Sequence, residues 1–303
     1  MPLRLEPVDE YLHELGPETT FNESMYFNVY DPTEHVGGFV RLGNRANEGY
    51  AEMTTCLYLP DGRVGFMYHR PEISDNDAFA AGGMSFAVVE PFEELRVGYE
   101  GKVVMLEDPL EMADPRKAFT ENHEREGEEF AKGHYEQLNA ATGTITVGDQ
   151  EWAVSGYGLR DHSWGPRTWQ APWYYRWLTA NFGDDFGFMG SRIARPDREG
   201  MRGGFIWDGE RILGCHHFEI STDWTETGTY HRAIEATLHH AEGSLNVKGK
   251  VLNLIPLRNR RDGMVTRISE GLTEWTLADG RVGYGLSEYL DQIVDDQPVG
   301  LAE

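Results

Sequence analysis

The residue types best able to do chemistry crowd into one stretch, Tyr157-Gly158-Leu159-Arg160-Asp161-His162-Ser163-Trp164-Gly165-Pro166-Arg167. It combines a phenol, two guanidinium groups, a carboxylate, an imidazole and an indole. A carboxylate beside an imidazole can orient the ring and raise its basicity, which suits general acid or base work near neutral pH. Asp161 is therefore expected to orient His162, and His162 to move a proton. The flanking glycines free the backbone to turn sharply and present these side chains to a cavity. Arg160 is a candidate to anchor a carboxylate or polarise a carbonyl, with Arg167 and Tyr157 as further substrate contacts. A plainer reading stands beside this one: Asp161 caps a turn, His162 fills a partly buried gap, and the arginines pair with acidic surface. The stretch is not a nucleophile elbow, a phosphate loop or a zincin motif, and Ser163 lacks the Gly-x-Ser-x-Gly setting.

Other candidates lie on either side. His134 and Glu136 share one face of a strand, with Tyr135 on the other, so the pair either faces a cavity or forms a hydrogen-bonded lining. Trp169, Trp173 and Tyr175, with Tyr174 and Trp177, could wall an apolar ligand or stabilise a carbocation through their ring faces, or could pack domains together. Glu23 and Glu288 are further carboxylates, each more often solvated than catalytic. His216-His217 and His239-His240 offer at most one inward ligand per pair, because adjacent strand residues point to opposite faces, so no metal site is expected. Leu42-Gly43-Asn44-Arg45 reads as a turn. Without a phosphate loop, no nucleotide cofactor is implied.

These residues must be positioned by strands. Short apolar runs alternate with turn signals: Ser24 to Tyr30, Gly37 to Leu42, Gly49 to Leu59, and Val64 to His69 after the turn Pro60-Asp61-Gly62-Arg63. A hairpin over Tyr135–Val147 and Trp152–Leu159 turns at Gly148-Asp149-Gln150. Asp208-Gly209, Asp262-Gly263 and Asp279-Gly280 punctuate the second half in the same way. Between them, residues 108–132 read as a short helix or loop insertion. The chain has 303 residues, 35 of them Gly and 14 Pro, enough for two β-units of roughly eight strands each. The expected fold is all-β, two consecutive lipocalin-like antiparallel barrels or sandwiches, over residues 1–165 and 166–303.

The formal charge of −24 argues against nucleic acid and against anionic membrane surfaces. Two cysteines, Cys56 and Cys215, do not make a disulfide framework. The start lacks an apolar targeting segment and no run reaches membrane-spanning length, so a cytoplasmic location without membrane insertion is expected. A homodimer is left open.

The segment Gly156-Tyr157-Gly158-Leu159-Arg160-Asp161-His162-Ser163-Trp164-Gly165 resembles the signature of the carotenoid 1,2-hydratase (hydroxyneurosporene synthase) family, where the corresponding stretch reads Asp-His-Asn-Trp-Gly after a Gly-rich strand. The likeness extends more loosely through Pro60-Asp61-Gly62, His134-Tyr135-Glu136-Gln137 and the tryptophan-rich join. It implies two lipocalin-like β-barrels with a ligand cavity near their junction. It also implies a kinship with hydratases and dehydratases of isoprenoid or phenolic compounds and with fungal pericyclases. By position, His162 and Trp164 match that family's catalytic His and Trp, and Asp161 matches the preceding Asp. Ser163 replaces the hydratases' Asn, and their downstream Tyr and Asp have no counterpart in Asp184-Asp185-Phe186-Gly187-Phe188-Met189, so carotenoid hydration itself is not expected. The resulting expectation is a cofactor-independent lyase or isomerase acting on a hydrophobic small molecule in an interbarrel pocket. The alternative is a lipocalin-like carrier of the same kind of ligand, and a third is a purely structural or interaction protein.

Overall fold

Strand-forming residues punctuated by Gly and Asp turns build an antiparallel, all-β molecule. The computed structural model describes residues 5–106, 133–196, 200, 202–226 and 228–302. The insertion expected over residues 108–132 lies outside the described residues. Among them, no helix is long and apolar enough to cross a membrane.

The first sheet has seven strands. Its centre is the meander β1 (Phe21–Asp31), β2 (Val36–Arg45), β3 (Tyr50–Tyr58) and β4 (Val64–His69). A small separate sheet follows, made of β5 (Ala80–Ala81), β6 (Met84–Glu90) and β7 (Glu94–Tyr99). The short β8 (Val104–Leu106) then pairs with β4. Finally β9 (Gly133–Val147) and β10 (Gln150–Pro166) form a long hairpin, and β10 lies against β1.

The second sheet holds the remaining strands. It runs β11 (Tyr174–Asn181), β12 (Gly187–Ala194), β13 (Arg202–Trp207), β14 (Ile212–Trp224) and β15 (His231–His240). It continues through β16 (Gly243–Arg261), β17 (Met264–Leu277), β18 (Val282–Val294) and the two-residue β19 (Gln297–Pro298). Because β18 also pairs with β11, strands β11 to β18 close into an eight-stranded barrel. Closure leaves no free edge among those eight. The barrel-or-sandwich alternative thus resolves as an open sheet carrying a small sheet, followed by a closed barrel.

Side-chain alternation divides most of the buried apolar residues among three large cores. Phe188, Phe218, Leu238 and Trp275 fill the barrel interior. Met25, Leu42, Met53, Phe79 and Met84 pack one face of the first sheet against the small sheet. The other face presents Tyr26, Phe39, Tyr58 and Leu159 to the outer wall of the barrel, where they meet Trp177, Ile268 and Leu290. Met25 and Tyr26 are neighbours in sequence and serve different cores, the period-2 signature of a strand buried on both faces. Each large apolar side chain buried in this way contributes about 1.5–3 kcal/mol.

Two local expectations are corrected. Arg160 to Gly165 is not a turn but the last third of β10, which pairs with β9 without a register shift from Gln150 to Trp164. Its glycines serve close approach instead: a Cβ on Gly158 would sit 1.8 Å from the Asn28 carbonyl oxygen of β1. Likewise Leu42-Gly43-Asn44-Arg45 lies inside β2, paired with β3.

Candidate active site

A cavity of about 1040 Å³ lies between the first sheet and the barrel wall. Its walls are two rows of directly opposed residues. Across the first sheet the row runs Tyr68, Thr54, Arg41, Tyr26, Asp161, Glu136, one from each of six adjacent strands. Across the barrel it runs Glu270, Glu288, Trp177, Ser191. All of these residues line the cavity, joined by the apolar Phe39, Phe66, Met189 and Ile268.

The rows touch. The Trp177 indole N–H donates to Glu136 Oε1 at 2.9 Å, and the ring meets Tyr26 edge-on at 5.5 Å between centroids. The Tyr175 hydroxyl donates to Glu288 Oε1. The Tyr58 hydroxyl donates to the Glu270 carbonyl at 3.1 Å.

Four carboxyl groups therefore share an aromatic enclosure. Burial, reinforced by the nearby Asp161 charge, pushes Glu136 up to about 8 against the opposing indole hydrogen bond. Burial likewise takes Glu288 up to about 7, with Tyr175 opposing and Asp161 adding to the rise. Glu270, buried and hydrogen-bonded to Glu288, stands well above the usual carboxylate range. Two like charges in a low-dielectric site cannot both ionise cheaply, so such a cluster keeps protons at neutral pH.

Arginines share the same cavity, close enough that Arg167 and Arg41 both oppose the rise of Glu288. The Arg41 and Arg167 guanidiniums lie over the Trp169 ring, at 5.0 and 4.8 Å from its centroid. Burial, with Arg41 close by, lowers Arg167 to about 10. Arg45, Arg41 and the Trp169 N–H overcome the burial of Glu52 and hold it ionised, at about 2.

Of the residues singled out in the sequence, His134, Glu136, Asp161, Arg167, Trp169, Tyr175, Trp177 and Glu288 line this cavity. His162, Trp164, Arg160, Tyr157 and Trp173 do not. His162 follows Asp161 on an unbroken strand and so projects from the opposite face. There its Nε2 lies 3.0 Å from Glu23 Oε1, fully buried, with Phe79 and Tyr135 edge-on to the ring. Glu23, not Asp161, orients His162. Trp164 shares that face and stacks on His13, with ring centroids 3.8 Å apart. Arg160 is held by Glu10 through two bonds of 2.5 and 2.7 Å, and by Gln137. Tyr157 neighbours Asp184. Trp173 anchors the start of β11 through its backbone, donating to Ala194 at 2.8 Å.

Sequence reasoning misses Glu270, Arg41 and Tyr26, and offers Glu288 only as a possible second carboxylate. A signal for the acids exists. Glu270 stands at i±2 from Ile268 and Leu272, and Glu288 at i±2 from Leu286 and Leu290, so each carboxylate occupies a position where alternation asks for an apolar residue.

Among the described residues, the metal-type group is His13, Glu23 and His162, whose ligand atoms lie within 4.8 Å of one another. Glu23 already accepts from the His13 backbone and ring, from His162, and from Asn76 at 2.7 Å. Burial would raise its pKa, but these donors hold it below the ordinary value. The Glu23 carboxylate at the centre of the group is thus already engaged by four donors.

This architecture, an open antiparallel sheet backed onto a closed barrel, is shared with several solved proteins. A Nitrosomonas europaea protein assigned as AttH superposes with a TM-score of 0.61 at 16% identity, over 92% of this chain and 96% of that one. CghA, solved with Sch210972, gives 0.51 at 10% identity, over 92% and 90% of the two chains. Kievitone hydratase from Nectria haematococca gives 0.51 at 12% identity, over 97% and 94%. At these identities the likeness defines the fold. The chain belongs to the family described as domain of unknown function DUF7064, whose model matches residues 6–293. No curated protein matches it.

Proposed function

We propose that the chain is an acid–base lyase or isomerase acting on a hydrophobic small molecule in the cavity between its two units, residues 1–165 and 166–303. The observation that carries this reading is the cluster Glu136, Glu270 and Glu288, gathered within an aromatic enclosure that raises all three above the ordinary carboxylate range. Fold neighbours that include a hydratase support it, as does the motif likeness to carotenoid hydratases.

In this mechanism the Glu136 or Glu288 carboxylic acid gives its proton to an alkene carbon, or to a departing hydroxyl, and becomes a carboxylate. The faces of Tyr26 and Trp177 stabilise the cationic centre that forms. Water, or an internal nucleophile in a cyclisation, then bonds to that centre. The new carboxylate takes back the proton released in that step, or one from the adjacent carbon when elimination occurs. His162 plays no part in proton transfer, because it faces away from the cavity.

The test is incubation with a panel of isoprenoid and phenolic alkenes in heavy water, followed by mass spectrometry. Reversible protonation incorporates deuterium, hydration adds one water, and both should fall in either Glu136→Gln or Glu288→Gln and vanish in the double variant. Ligands that bind yet are always recovered unlabelled and unaltered would instead identify a carrier.

A further inference from the structure

The cavity contradicts the charge of the chain around it. The protein carries 51 Asp and Glu against 27 Lys and Arg. Yet Arg41, Arg70, Arg167, Arg195, Arg258 and Arg260 all line this one space. Glu52 is the carboxylate paired with Arg41, and it is already engaged, while the carboxylate acting on Arg167 is Asp161. Glu52 lies 3.3 Å from Arg45 Nε and 3.3 Å from Arg70 Nη2, and accepts from Trp169 Nε1 at 3.2 Å.

Arg41 is the residue left with something to donate. It is 9% exposed, and its Nη1 reaches only to 3.6 Å from Glu52. Its Nη2 is buried with no hydrogen-bond partner. The head group lies over the Trp169 ring and in the space left by Gly43, two residues along β2, where a Cβ would lie 2.8 Å from Nη2. A buried guanidinium N–H without an acceptor is costly, and Arg donors match planar oxyanions in particular. A positioned, unpaired donor beside a second arginine is the kind of site a carboxylate completes.

We propose that the Arg41–Arg167–Trp169 cluster in the cavity is an anion subsite, and that the ligand is an apolar molecule bearing a carboxylate. The carboxylate accepts from Arg41 Nη2 with Arg167 alongside, while the apolar body lies along Tyr26, Met189, Trp177 and Ile268 toward Glu136 and Glu288. A volume of about 1040 Å³ holds a ligand at the large end of the small-molecule range. This inference rests on the cavity being a ligand site, and it adds the direction in which the ligand lies.

The test uses cis-parinaric acid and its methyl ester, whose fluorescence reports binding without turnover. The wild type should bind the acid about 10–100-fold more tightly than the ester, the ratio expected for charge-assisted hydrogen bonds. Arg41→Met should remove most of that preference; Arg41→Lys should retain part of it. Equal affinity for acid and ester in the wild type overturns the proposal, as does an undiminished preference in Arg41→Met. If the ester binds without any preference for the acid, the cavity reading survives and this inference does not. If neither probe binds, both fall. The wild-type ratio decides the matter even if Arg41→Met fails to fold.

Discussion

Replacing Glu136 by Gln should change how the protein's stability depends on pH, by an amount the structure allows to be worked out. Glu136 faces Asp161 across the β9–β10 pair, and its side chain is 9% exposed. Burial moves its pKa from 4.5 to about 8. The folded protein therefore keeps this proton up to about pH 8, while the unfolded chain releases it near pH 4.5. Over that interval unfolding sheds a proton, so stability falls as pH rises. At about 1.36 kcal/mol per pH unit, with rounding near both pKa values, the fall between about pH 5 and pH 8 is about 3–4 kcal/mol. Gln keeps an acceptor oxygen for the Trp177 indole and does not titrate. Urea denaturation of both proteins at the two pH values should show Glu136→Gln gaining about 3–4 kcal/mol on the wild type as pH rises. The same pH dependence in both, to within about 1 kcal/mol, would refute the claim that this carboxyl is held protonated.

The remaining predictions concern the other face of β10 and the pH–rate profile. His162→Ala removes a partner from the buried Glu23 and should cost about 3 kcal/mol, measured by denaturation, while turnover per folded molecule stays within about threefold. A folded His162→Ala protein with turnover reduced about 100-fold would return His162 to the chemistry. Arg160→Met strands Glu10, whose folded pKa lies below its ordinary value because Arg160, Tyr135 and the Phe92 N–H outweigh burial. That stabilisation is present above the unfolded pKa of 4.5 and is lost as pH falls through the folded one, so the deficit of about 3 kcal/mol at pH 7 should shrink as pH falls below 4.5. A deficit independent of pH would count against it. Turnover should decline above about pH 8 as Glu136 loses its proton. Trp177→Phe removes the hydrogen bond that favours the carboxylate, so the alkaline limb should move to higher pH. A limb that stays put or moves down would contradict the assignment.

Much of the fold is legible in the sequence, because turn residues and alternation are local signals. The hairpin around Gly148 and the turn at Asp279-Gly280 are found where the residues indicate, the latter closed by Leu277 and Arg281. The same alternation correctly separates Tyr135, whose hydroxyl reaches Glu10 on the far face, from His134 and Glu136 on the cavity. Applied to Asp161 and His162 it separates them too. Reading that segment as a turn concealed this, since a turn places no such constraint on neighbours. Glu270 and Glu288 were readable as carboxylates in apolar rows. Arg41 was not: what distinguishes it is Trp169 and Glu52, brought to it by strand pairing and by the join between the sheets.

The barrel's filled lumen has a consequence for how this protein can change. In β11, Tyr175 and Trp177 look outward to the cavity, while Leu178 and Ala180 look inward to Phe188 and Trp275. In β17, Ile268 and Glu270 look outward and Trp275 inward. Two messages are thus interleaved on alternate letters of the same strands, one for holding the barrel shut and one for choosing the ligand. A lineage can rewrite the second message at outward positions while the first is copied unaltered, and divergence in this family is expected to fall on every other residue.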